Sequence, residues 1–179
     1  MKGFNLSRFA ARTDADRPYM CGVFHDGGYK IASNGHILAA IRSDYPADLE
    51  QKVIGRDGQE IGRRYAKWRY IFPEEGEGTG EAWTVDVAKV RGLVRQVNAD
   101  KKGLKRAGYV KMGDAFFAAK YMAMICDFMD AYGVNVLRVN GPGRAAFVFA
   151  PDGSRAAIMP ALVQQYLRED RDGHLWCEM

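Results

Sequence analysis

The side chains best suited to chemistry in this chain of 179 residues are three histidines, three cysteines and one concentrated run of basic residues. Catalysis needs a nucleophile, a base and an orienting group, or a cluster of ligands, brought within hydrogen-bond reach. His25, His36 and His174 are scattered along the chain. Cys21, Cys126 and Cys177 are odd in number with no Cys-x-x-Cys spacing, which supports neither a disulfide framework nor a cysteine zinc site. His25 and Asp26, with Cys21 in the same hairpin, are the one place where an acid–base pair or a metal site can be drawn. A histidine beside a turn is more commonly a local hydrogen-bonding residue. The glycine-rich stretch at 76–80 is flanked by glutamates and repels phosphate, and neither Gly-x-Gly-x-x-Gly nor a P-loop is present. The expectation is a protein that is not an enzyme and carries no cofactor and no metal.

Charge is unevenly spread. The formal net charge is +4, yet residues 1–51 balance six positive against six negative, residues 52–72 carry six against two, and residues 73–88 are acidic. Residues 89–111 then hold eight positive side chains against Asp100 alone. Within that run Arg91, Arg95, Lys101, Lys102, Lys105 and Arg106 are the candidate phosphate contacts, which would give sequence-independent, salt-sensitive binding to double-stranded DNA. A solvated helix face followed by a loop is the plainer alternative.

The elements that must position these groups are legible from turns and periodicity. LSRFAAR (6–12) predicts a short helix capped by Asn5 or Ser7. YMCGVF (19–24), YKIAS (29–33) and HILAAI (36–41) predict three antiparallel strands, with Asn34-Gly35 expected as a type I′ turn. The last third repeats this order. Residues 116–132 place Phe117, Tyr121, Met124, Ile125, Phe128, Met129 and Tyr132 on one helical face ending at Gly133. VNVLRVN (134–140), RAAFVFA (144–150) and RAAIMPAL (155–162) then form a second meander across glycine- and proline-containing turns. With MKGF (1–4) and GYVKMG (108–113) as lead-in strands, each half becomes a βαβββ unit. Between them an insertion at about 47–107 reads as a hairpin around Asp57-Gly58, a strand at 65–72, an acidic loop at 73–81 and a helix at 86–98 capped by Thr84 or Asp86. Residues 1–163 are expected to form a single domain, with 164–179 a C-terminal tail.

Two stretches resemble the bacterial DNA polymerase III beta subunit, the sliding clamp. RPYMCGVFHDGGYKIASNGHILAAI (17–41) is similar to that family's strand–turn–strand passage ending in Ala-Thr-Asp-Gly-His-Arg-Leu-Ala, here Ala32, Ser33, Asn34, Gly35, His36, Ile37, Leu38 and Ala39. Residues 115–162 are similar to the clamp's closing segment, with Met159, Pro160 and Leu162 in its final positions. The resemblance implies an α+β, DNA-clamp-like fold with antiparallel sheet on one side and helices on one face. It also implies a groove near His36, Leu38, Met159, Pro160 and Leu162 that docks peptides of replication or repair proteins. In this family the two motifs meet across neighbouring domains, so a one-domain chain is expected to complete the groove as a homo-oligomer.

The resulting expectation is a non-enzymatic accessory protein that binds DNA through the basic run, docks partner peptides, or does both. The alternatives are a clamp-fold interaction module without DNA binding, for which the acidic Asp127 and Asp130 speak, and a small hydrolase or metal enzyme built on His25-Asp26. No run of apolar residues reaches membrane-spanning length and residues 1–16 lack a signal-type apolar core, so the sequence implies no membrane and a cytoplasmic setting.

Overall fold

The computed structural model describes residues 4–73, 80–99, 107–161 and 174–179. The first meander is β1 (Val23–Asp26), β2 (Tyr29–Ser33) and β3 (Ile37–Arg42). The tight two-residue turn falls at Gly27-Gly28, both with positive φ, between the paired Asp26 and Tyr29. The expected type I′ turn at Asn34-Gly35 does not form. Only Gly35 takes positive φ, because Asn34 Oδ1 accepts the amides of His36 (2.9 Å) and Ile37 (3.1 Å) and builds an Asx turn instead.

The short hairpin of the insertion is present as β4 (Val53–Ile54) and β5 (Glu60–Gly62). An edge strand that the sequence reading lacks, β6 (Glu81–Thr84), follows, then helix α1 (Val87–Ala99), where Asp86 Oδ1 accepts the Lys89 amide at 3.0 Å. The hairpin β7 (Ala107–Met112) and β8 (Ala115–Ala118) precedes helix α2 (Ala119–Tyr132), which Gly133 ends at φ 66° with its amide on Met129 O. Residues 116–118, expected as helix, are thus strand, since β8 pairs along β7 from Tyr109↔Ala118 to Met112↔Ala115. The second meander is β9 (Val136–Val139), β10 (Ala146–Phe149) and β11 (Arg155–Ile158), and β12 (His174–Glu178) runs parallel to β7.

Nine strands form one antiparallel sheet in the order β5-β4-β1-β2-β3-β11-β10-β9-β6, joined at its centre by β3 and β11. Strand alternation divides its side chains between two cores. Ile37, Ala39, Ala156, Ile158 and Val148 face α1 and α2. Leu38, Ala40, Ala157 and Phe147 face the other way, onto Trp68 and Phe72. Covering on both faces explains why β3 and β11 read as unbroken apolar runs rather than as alternating ones.

Two expected elements are corrected. LSRFAAR is a single 3-10 turn at Leu6–Arg8, capped by Asn5, whose Oδ1 accepts the Ser7 amide. The chain then turns away so that Ala11 N donates to Met20 O at 2.9 Å. The helix beside α2 is therefore α1, from the stretch read as an insertion. Residues 65–72 are not a strand either. Their inward-facing aromatics, the half-buried Tyr65 and the buried Trp68 and Phe72, are spaced three and four apart, which suits the observed 3-10 turn at Trp68–Ile71 rather than a period of two.

Candidate functional site

The β3–β11 ladder ends with Ile158 opposite Ile37, and one residue further Met159 N donates to His36 O at 2.8 Å. The two motif segments are therefore neighbours within one chain. The expectation that self-association is needed to bring them together is overturned by this pairing. Around the junction the turn is tightly held: Ser33 Oγ donates to Ile37 O (2.8 Å) and accepts the Gly35 amide (3.1 Å). The exposed His36 ring stacks on Tyr121 of α2 at 5.1 Å and 19°, and Lys120 Nζ stands 4.5 Å from the centre of the same ring. Arg17, bridged to Asp14 at 3.0 Å, lies beside Gly35. Met159 is 42% exposed, and past Pro160 the chain is fixed by Ala161 N donating to Phe116 O at 2.7 Å.

The five candidate partner-binding residues thus separate. His36, Met159 and Pro160 sit together at the junction. Leu38 is buried at 3% in the core under Trp68 and Phe72 and forms no groove wall. Leu162 lies outside the described residues. What the junction offers is a flexible apolar side chain, an aromatic stack and the Lys120 cation, a surface that suits a short peptide carrying an apolar anchor and an acidic neighbour.

The basic run is also divided. Arg91 Nη2 reaches Asp127 at 3.1 Å and Asp130 at 2.7 Å, and Arg8 reaches Asp127 at 2.5 Å. These contacts tie α1 and the N-terminal turn to α2, so the two aspartates that made α2 look acidic are engaged by arginines. Arg95 is exposed and makes no ion pair among the described residues. Lys101, Lys102, Lys105 and Arg106 lie outside the described residues.

His25 and Asp26 do not form a pair. Adjacent on β1, they point to opposite faces. His25 is 5% exposed, with Nδ1 3.3 Å from Lys52 O and its ring against Tyr45, and burial pushes its pKa below the usual 6.5. Asp26 accepts hydrogen bonds from Trp68 Nε1 (2.7 Å), Arg69 Nη2 (3.0 Å) and Gln51 Nε2 (2.5 Å). Burial also raises the Cys126 thiol to about 12, too high for a nucleophile.

Those bonds to Asp26 belong to a feature the sequence reading missed, a strap over residues 63–72 that crosses the sheet face opposite the helices. Tyr65 stacks on Phe24 (5.2 Å, 9°), Trp68 is 2% exposed against Tyr29, and Phe72 meets Phe147 at 5.7 Å. Arg155 of β11 lies over the Tyr29, Trp68 and Phe72 rings at 5.1 to 5.6 Å. Arg63, Arg64, Lys67, Arg69 and Tyr70 project outward. Four cations interleaved with three aromatics in eight residues was the available signal.

The described helices pair over an antiparallel sheet whose two meanders join through β3 and β11, with the turn before Ile37 and Met159 at the end of that ladder. This is the sliding-clamp fold. The chain is similar to the beta sliding clamp of C. crescentus, with TM-score 0.63 and 14% identity over 87% of this chain and 61% of that one. It is also similar to DNA polymerase III subunit beta from Pseudomonas aeruginosa, with TM-score 0.63 and 13% identity over 87% and 62% of the two chains. A third similar structure is the Helicobacter pylori beta clamp bound to a DNA ligase peptide, with TM-score 0.54 and 12% identity over 87% and 61%. The chain spans about three-fifths of the length of these clamps. No protein-family model matches it, and no curated protein sequence does so significantly. No helix among the described residues is long and apolar enough to cross a membrane.

Proposed function

We propose that the protein is a non-enzymatic, clamp-like accessory factor that docks short peptides of DNA-processing proteins at the His36–Met159 junction. The observation that carries this reading is the 2.8 Å bond from Met159 N to His36 O, which sets an exposed Met beside an exposed His stacked on the half-buried Tyr121 inside one chain. A similarly folded clamp is known with a DNA ligase peptide bound, which supports a peptide as the class of partner. Met159 would receive the apolar anchor, and Lys120 would favour an acidic flank. Binding of duplex DNA would fall to the remainder of the 89–111 run, because Arg91 is already committed to Asp127 and Asp130.

Titration of the full chain against a fluorescently labelled DNA ligase peptide of the kind held by the H. pylori clamp tests the reading. Saturable binding that Met159→Asp weakens at least tenfold, with the thermal midpoint nearly unchanged, is the expected result. Binding indifferent to both Met159→Asp and His36→Ala overturns it.

A further inference from the structure

We propose that the strap over residues 63–72 is a binding site for single-stranded nucleic acid, with Tyr70 as the stacking platform and Arg64 and Lys67 as the principal phosphate contacts. The site is on the face away from the helices and is independent of the peptide reading.

Three observations combine. First, Tyr70 is 84% exposed, the most exposed large hydrophobic side chain among the described residues, and Lys67 Nζ stands 5.7 Å from its ring centre. A ring left in water costs apolar hydration, whereas a nucleobase laid on the face opposite Lys67 would recover that area while the cation stays over the other face. Second, the strap itself carries only positive charge: no acidic residue occurs from 61 to 73. Glu60 offsets Arg63 (2.7 Å) and Asp26 offsets Arg69 (3.0 Å), while Arg64 and Lys67 make no ion pair among the described residues. Third, a groove of about 380 Å³ runs alongside, floored by Phe24 and Tyr65 and edged by Arg63, Arg64, Lys67 and Tyr70, and the Asp26 carboxylate in its lining is bound by Arg69.

The platform is also rigid. Trp68 and Phe72 are buried in the core, Tyr65 packs against it, and Trp68 Nε1 is tied to Asp26 at 2.7 Å, so the backbone that carries Tyr70 needs little ordering on binding. The anchors fix which way the intervening residues face: Lys67 and Tyr70 must point out because Trp68 and Phe72 point in. A single strand is favoured over a duplex because stacking on Tyr70 needs an unpaired base face, which a duplex offers only at its ends. It is favoured over an acidic peptide because a carboxylate chain makes no use of the ring.

The experiment is fluorescence anisotropy of the full chain with a labelled oligothymidylate of about 12 nucleotides. The same strand annealed to its complement and an oligoglutamate peptide serve as competitors. Binding should weaken with salt, Tyr70→Ala should reduce affinity about five- to a hundredfold, and Tyr70→Phe should retain it. Replacing Arg64 and Lys67 together by Ala should lower the slope of log affinity against log salt by about 1.4, at about 0.7 per single-strand phosphate contact. These side chains are exposed, so each variant should keep the wild-type thermal midpoint. The proposal is overturned if the oligothymidylate fails to bind, if Tyr70→Ala binds as wild type, or if duplex or oligoglutamate competes as well as the single strand.

Discussion

Met159 N donates to His36 O at 2.8 Å, one step beyond the last β-bridge between Ile158 and Ile37. That bond places the turn after β2 and the segment after β11 on one continuous edge of a single subunit. Peptide docking at this junction should therefore not require a second copy of the chain. Light scattering combined with titration should give one peptide per chain at concentrations where the protein is monomeric. Binding that appears only in an oligomeric fraction would mean that the junction alone is insufficient.

Arg91 is expected to act on stability rather than on DNA. Its guanidinium bridges Asp127 and Asp130 across the α1–α2 contact while remaining partly exposed. Arg91→Ala should cost about 1 kcal/mol, the upper end for surface ion pairs because two carboxylates share one partner. A double-mutant cycle with Asp130→Ala in urea should show coupling of a few tenths of a kcal/mol or more. The duplex-DNA affinity of the Arg91→Ala protein should match wild type, and a fall in its salt slope would return Arg91 to the phosphate contacts.

The local parts of this fold were legible in sequence, and the non-local parts were not. Turns with glycine and the apolar runs at 29–33, 36–41 and 155–162 located β2, β3 and β11, and the helix expected at 86–98 and found at Val87–Ala99 showed in its spacing of valines and leucine. The short 115–118 strand was absorbed into the helix prediction because its Phe and Ala residues fit either period. Edge strand β6 was hidden because Glu81, Ala82 and Thr84 are exposed and only Trp83 is partly covered. Residues 65–72 misled because aromatic composition favours strand, while the spacing of Tyr65, Trp68 and Phe72 carried the contrary signal. The pairing of β3 with β11 joins residues more than a hundred positions apart, and no local pattern encodes such a register. It is that pairing which decides that Leu38 is core and Met159 is surface.

His25 should make the fold sensitive to mild acid. Burial disfavours the imidazolium, so its folded pKa lies below the ordinary 6.5. The unfolded chain then binds the proton more readily than the folded one. The contribution is fully present above pH 6.5 and is lost as pH falls through the folded value. Urea midpoints measured from pH 8 to pH 5 should decline on the acid side, and His25→Gln should flatten that decline. An equally steep decline in the variant would assign the effect to other groups.

Trp68 should be the residue on which the strap depends. Its ring is 2% exposed between Tyr29, Phe72 and Arg155, and its Nε1 donates to Asp26 Oδ2 at 2.7 Å. Trp68→Ala would open a cavity across the face formed by Leu38, Phe147 and Ala157 and leave the partly buried Asp26 carboxylate to Arg69 and Gln51 alone. A large-to-small change of this kind costs about 3–5 kcal/mol, and chemical denaturation of the variant should show a loss in that range. Trp68→Phe keeps most of the volume but not the donor, so it should cost less, on the order of 1–3 kcal/mol for the unmade bond and the residual void. Tyr70→Ala, two residues away but exposed, should change stability by no more than about 0.5 kcal/mol. Equal losses at Trp68 and Tyr70 would show that the strap is not held as its anchors require.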